Sequence, residues 1–151
     1  MRPRVALALA LIASGCDVEG GVMPVPPASY EAWVAEVQPV LAARCAEPTC
    51  HGSSSRALEV FALGLHRMDP RAVHRADPLT DAELRAGFLS SCGFLVDIAR
   101  PEASLLLRKP LARAAGGAGH AGGVVFEDTS DRDYRALSAW VARAFVEGDE
   151  P

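Results

Sequence analysis

The sequence predicts an all-α fold, a small domain of four to five helices after a signal peptide and a flexible tether. Apolar residues recur at helical spacing near both ends of the domain. Cap residues stand just before these runs. No two-residue alternation long enough for a strand is visible, and no internal repeat. The chain divides into a signal peptide over 1–15, a tether over 16–28 and one helical domain over 29–151, long enough to bury a real core.

Arg2 and Arg4 form a short positive region, and Val5 to Ile12 is an apolar run of eight residues. Ala13, Ser14 and Gly15 then supply small residues before Cys16. This pattern is a secretory signal, too short to span a bilayer. The small residues with a cysteine directly after them resemble the lipobox of bacterial lipoproteins. The resemblance implies that Cys16 is the first mature residue and carries lipid on its sulfur. The domain would then sit outside the cytoplasm, anchored on the periplasmic side or at the outer membrane. An ordinary cleaved signal would leave Cys16 free instead. Asp17 to Ala28 is rich in Gly, Pro and small residues and reads as the tether.

Ser29 to Cys45 predicts the first helix. Ser29 can cap it, and Glu31 lies near the positive end of its dipole. Tyr30, Trp33, Val34, Val37, Val40 and Leu41 share one apolar face. Pro39 breaks the hydrogen-bond ladder, so a kink or restart is expected there. Arg56 to Met68 predicts a short helix or an irregular apolar strap. Thr80 caps a helix from Asp81 to about Val96, with Glu83 completing a capping box. Leu84, Phe88, Cys92 and Leu95 are expected inside. Arg100-Pro101-Glu102 opens another helix; Leu105, Leu106 and Leu107 are core, and Pro110 stops or kinks it. Thr129, Ser130 or Asp131 caps the last helix, which runs to about Glu147. Tyr134, Leu137, Trp140, Val141, Ala144 and Phe145 form its inner stripe.

Between these helices, Ala114 to Gly123 holds five glycines in ten residues, with His120 among them. Glycine lets a backbone lie close to a flat or bulky object. An exposed mobile loop is the plainer reading.

The chain carries 15 basic and 19 acidic residues, a net charge of −4. Loss of Arg2 and Arg4 with the signal would take it to about −6. Nucleic acid is excluded as a partner, since binding it needs a basic surface. An acidic surface suits a basic partner protein by steering encounter. Lys109 is the only lysine; arginine supplies the rest of the positive charge. The sequence offers no physical reason for that bias.

The chemistry concentrates in Cys45-Ala-Glu-Pro-Thr-Cys50-His51-Gly52. Two cysteines followed at once by histidine suit covalent haem attachment, each thiol adding to a vinyl group and the imidazole taking one axial position on iron. Four residues separate these cysteines, where the usual spacing has two. Two other readings use the same residues. Cys45 and Cys50 can form a disulfide in an oxidising compartment. Cys45, Cys50 and His51, with Cys92 or His120, can form a structural zinc set. Cys92 has no thiol partner in the haem or the disulfide reading. No catalytic nucleophile or acid/base pair stands out, so a carrier rather than an enzyme is expected.

The order of these elements resembles c-type cytochromes, in particular the planctomycete-type domains of secreted proteins and lipoproteins. The matching residues are Val37 to Leu41 leading to Cys45, Cys50, His51 and Gly52; Pro101 to Pro110; His120 to Gly123 with Phe126; and Tyr134, Leu137, Trp140 and Val141. They span most of residues 30 to 146. The resemblance implies a cytochrome c-like fold and a monohaem electron-transfer protein. It implies one covalent haem c on Cys45 and Cys50, His51 as proximal iron ligand, and a redox partner protein. His120 occupies the region of the distal ligand; Met68, His66 and His74 are lesser candidates, with both lesser histidines expected in solvent. The alternative is a haem-free lipoprotein binding or scaffold domain with a Cys45–Cys50 disulfide.

Overall fold

Trp33, Val37, Val40 and Leu41 are buried along one face of the first helix. The computed structural model describes residues 28–95 and 100–146. The signal peptide, Cys16, nearly all of the tether and Val96 lie outside the described residues. Among the described residues the domain is all-α, with four helices and no sheet.

Helix α1 runs in three stretches, Tyr30–Ala32, Trp33–Val37 and Gln38–Arg44. The Ser29 hydroxyl caps it by accepting from the Ala32 N–H at 3.2 Å. The middle stretch is π-helical, and the Gln38 N–H reaches back to the Trp33 carbonyl. Pro39 has no N–H to give, so the register slips by one residue and the α-helix resumes around it. The expected restart at Pro39 takes this form.

Helix α2, Asp81–Cys92, starts on the expected capping box of Thr80 and Glu83. It ends at Cys92, short of Val96, where Gly93 caps it and a turn follows through Phe94 and Leu95. Gly87 lets α2 approach α1, since a Cβ there would lie 3.0 Å from the Trp33 ring. The helix expected from Pro101 is shorter than its sequence suggested. One 3₁₀ turn, Pro101–Ala103, precedes the four-residue α3, Leu105–Arg108. Ser104 is extended between them because its hydroxyl donates to the Phe94 carbonyl at 3.0 Å.

Helix α4, Arg132–Val146, packs against the π-helical stretch of α1. Asp131 is its cap, accepting from the Asp133 and Tyr134 N–H groups at 2.7 and 3.1 Å. Tyr134, Leu137, Trp140, Val141 and Ala144 join α1 in one core. Phe88 sits edge-on to Tyr30, Trp33 and Trp140 at 5.4, 6.0 and 6.3 Å between centroids, geometry that aromatic quadrupoles favour. Both indole N–H groups are satisfied, Trp33 on Ser91 and Trp140 on the Ser29 carbonyl. The other end of α1 is tied to α4 by Arg44, which pairs with Asp131 at 3.1 Å and Asp133 at 3.0 Å.

Residues 56–68 form an irregular strap, the second of the two expected forms. Its anchor is Arg67, which is 4 % exposed, bound to Glu83, which is 2 % exposed. The guanidinium makes two bonds to the carboxylate, at 2.9 and 3.0 Å, and donates to the Asp77 and Pro78 carbonyls. Glu83 also accepts from the Met68 and Thr80 N–H groups. Burial alone would raise the Glu83 pKa; the bonds from Arg67, Thr80 and Met68 overcome it and hold the carboxyl at about 2.

A carboxyl whose folded pKa is depressed stabilises the fold above its unfolded value. That contribution is lost as pH falls from about 4.5 toward 2. Arg67→Met should lower the urea unfolding free energy by about 3–5 kcal/mol, because it strands a buried charge. Glu83→Gln should flatten the loss of stability between pH 4.5 and 2; an unchanged acid limb would contradict the assignment.

Candidate functional site

The C-terminus of α1 hands the chain into the cysteine loop. Cys45 ends the helix with its N–H on the Leu41 carbonyl, and Ala46 is buried beneath it. The loop then folds back on itself. His51 N–H donates to the Cys45 carbonyl, and Cys50 and Gly52 N–H groups both donate to the Glu47 carbonyl. Gly52 is required there, since a Cβ would lie 2.0 Å from the Ala46 carbonyl oxygen. The His51 ring is held by the strap: its Nδ1 donates to the Leu58 carbonyl at 2.9 Å. That bond leaves Nε2 as the acceptor when the ring is neutral.

His120 comes from the glycine loop, and its Nδ1 donates to the Gly123 carbonyl at 3.2 Å. The glycines serve the loop's own turns. Gly116, Gly119 and Gly123 have positive φ, and a Cβ on Gly117 would lie 1.8 Å from the Leu111 carbonyl oxygen. His120 itself is half-buried, while Ala121 to Val124 just after it are exposed. The two imidazoles lie parallel, 4° apart and stacked at 5.7 Å between centroids. Burial lowers the His51 pKa against the Leu58 bond, which raises it; His120 and Arg56 add to the lowering. These effects favour the neutral form of His51.

Cys45, Cys50, His51 and His120 all line one pocket of about 410 Å³. Its apolar wall is Leu41, Leu58, Phe94, Leu105, Leu106 and Leu137, so every helix except α2 contributes, and Phe94 extends from the end of α2. Arg56 and Lys109 also line it. The volume falls in the range of small-molecule sites, and the mix of apolar wall with few polar groups is typical of them.

Other candidates lie elsewhere. Met68 and His66 line a separate hollow of about 330 Å³. His66 is not solvated as expected: it bonds Glu59 at 2.8 Å and stacks on Phe61 at 4.8 Å. His74 is exposed. Cys92 is buried on α2 and does not line the pocket. Sequence reasoning missed Arg56, Phe94 and Leu137 as pocket residues; Lys109 was singled out only as the lone lysine.

Among the described residues, no group of three or more His, Cys, Asp or Glu side chains comes together to hold a metal ion. That finding corrects the expectation of one covalent haem c on Cys45 and Cys50 with His51 and His120 as iron ligands. The metal-binding and iron character of the site is withdrawn with it, as is the zinc set. In physical terms, Cys92 lies outside the pocket and cannot complete a ligand set there. Cys45 is a thiol rather than a thiolate, because burial pushes its pKa up to about 11, with Cys50 adding to the rise and Arg44 opposing it. Cys45, Cys50 and Cys92 are all free thiols in this structure.

No family model, curated protein or solved structure matches this chain. No helix among the described residues is long and apolar enough to cross a membrane.

The Cys45 environment sets its reactivity. At pH 8 roughly one Cys45 in a thousand is thiolate, given a pKa of about 11. Alkylation by iodoacetamide, followed by peptide mapping, should rise about tenfold per pH unit from 8 to 10 at Cys45. A plateau below pH 9 would show that the thiol is not buried as described.

Proposed function

We propose that this chain is a haem-free, extracytoplasmic binding domain that holds a small, flat, largely apolar molecule in the pocket between the cysteine loop and the glycine loop. The pocket itself carries the reading. It is about 410 Å³ and mostly apolar, with two parallel imidazoles on its wall. An apolar body would gain roughly 25 cal/mol for each Å² taken out of water. The two Nε2 acceptors and the two thiols would orient it. We read the frame as cytochrome c-like, supported by the order of cysteine loop, middle helices, glycine loop and aromatic C-terminal helix. Electron transfer is not part of this reading, because nothing in it carries the electron. Binding, rather than catalysis, is the proposed activity.

The domain is proposed to be held at a bacterial membrane by lipid on Cys16, with the tether giving it reach. Stable anchoring needs more than one acyl chain, which a lipidated N-terminal cysteine supplies. Cys16→Ser should move the protein from the membrane fraction to the soluble extracytoplasmic fraction. Retention in the membrane fraction would remove the anchor from the account.

N-phenyl-1-naphthylamine, a neutral fluorescent probe, tests the binding reading. It should bind one to one with micromolar affinity and enhanced emission. Ala57→Trp and Ala121→Trp place bulk at exposed positions on the pocket wall and should each abolish that binding while near-UV circular dichroism stays native. Binding that survives both variants would locate the probe elsewhere and defeat the proposal.

A further inference from the structure

The pocket is charged in one sense only. Arg56 and Lys109 line it, and no aspartate or glutamate does. This stands against the chain as a whole, whose net charge is −4. The charged lining of the pocket is therefore basic although the chain is acidic overall. The two cations are also uncommitted. The Lys109 ammonium makes no hydrogen bond or ion pair among the described residues. The Arg56 guanidinium donates only to the Thr49 carbonyl, at 2.9 Å, and has no ion-pair partner among them. Five of the other arginines are paired with carboxylates: Arg44, Arg67, Arg71, Arg85 and Arg143.

Lys109 is also the only lysine in the chain. Its placement follows from the fold. It caps the C-terminus of α3, one residue before Pro110, with its N–H on the Leu105 carbonyl. Leu105, on the preceding turn, is part of the same pocket wall. A compact ammonium on a flexible stem serves as a point charge, while the Arg56 guanidinium can bind a carboxylate with two parallel bonds. Both residues are exposed, so an anion bound there would keep its outer face in water and avoid the cost of full desolvation.

We infer that the natural ligand is an amphipathic anion: a flat, apolar, aromatic body seated on Leu58, Leu106 and Leu137, with a carboxylate held at the pocket wall by Arg56 and Lys109. This inference rests on the binding function proposed above and adds the charge of the ligand to it. Arg56 and Lys109 are then the residues that set specificity, and the apolar wall supplies affinity without discriminating charge.

A matched pair of probes separates the two claims. Titration calorimetry with 2-naphthoate and 2-naphthamide on the same protein compares a carboxylate with a neutral amide on one ring system. The carboxylate should bind at least about tenfold more tightly at low salt, and the gap should narrow as salt rises. Arg56→Gln and Lys109→Gln should each weaken naphthoate by about tenfold and leave naphthamide within about twofold. Equal binding of the two probes would overturn the anionic ligand while leaving a binding pocket in place. A preference for naphthoate that survives both substitutions would overturn the roles of Arg56 and Lys109. Failure of both probes to bind, together with N-phenyl-1-naphthylamine, would overturn the pocket reading itself. Exposed side chains are changed in both variants, so the fold is not at risk.

Discussion

The long connection between α1 and α2 has little regular structure of its own, one Ala62–His66 bridge and a 3₁₀ turn at Pro70–Ala72, and the domain depends on the helices to pair its remaining backbone groups. Buried backbone groups must be paired somewhere. Here Gln38 of α1 donates to the Phe61 carbonyl, and Ser90 of α2 accepts from the Glu59 N–H and donates to the Ala57 carbonyl. The Arg67–Glu83 pair then locks the far end, using the guanidinium to satisfy two carbonyls and the carboxylate to satisfy two N–H groups. A buried ion pair is often a poor source of net stability. Its worth in this domain lies in fixing the path of an irregular segment. Leu58, whose carbonyl orients His51, sits on that path.

The pocket follows from how the loops meet. The cysteine loop closes on its own carbonyls and on Gly52, which presents Cys45, Cys50 and His51 together. The glycine loop returns His120 to the same wall, pinned where Phe126 reaches back to the 110–112 segment through backbone bonds. Arg44 stacks its guanidinium 5.5 Å over the Phe126 ring while it pairs with Asp131 and Asp133, so one side chain binds α1, the glycine-loop exit and the start of α4. Apolar side chains from three helices then form the floor. The polar groups on the wall are few, and each imidazole keeps one nitrogen out of the protein's own network.

Much of this was legible from residue order. The apolar face of α1, the capping box at Thr80, the inner stripe of α4 and the disturbance at Pro39 all rest on local rules that tertiary packing did not override. The gathering of Cys45, Cys50, His51 and His120 was also anticipated. What failed was the step from gathered residues to a metal cofactor, since motif order says nothing about whether ligand atoms converge. Burial of Arg67 was invisible, because its partner lies on α2, outside the strap, and arginine is rarely interior. His66 reads as solvated beside its arginines, yet Glu59 and Phe61 claim it from one turn of the strap away. The glycine run was read as room for a flat object, while most of it serves left-handed turns and one close backbone approach. The isolated lysine had no meaning until its neighbours in space were known.

The account stands on occupancy of the pocket by a flat apolar body. Intermolecular nuclear Overhauser effects between 2-naphthoate and methyl-labelled protein report that contact directly. The account predicts cross-peaks from the ring protons to the methyl groups of Leu58, Leu106 and Leu137 and to the imidazole protons of His51 and His120. Cross-peaks confined to exposed surface leucines such as Leu63 and Leu89, with none to the pocket wall, would contradict it.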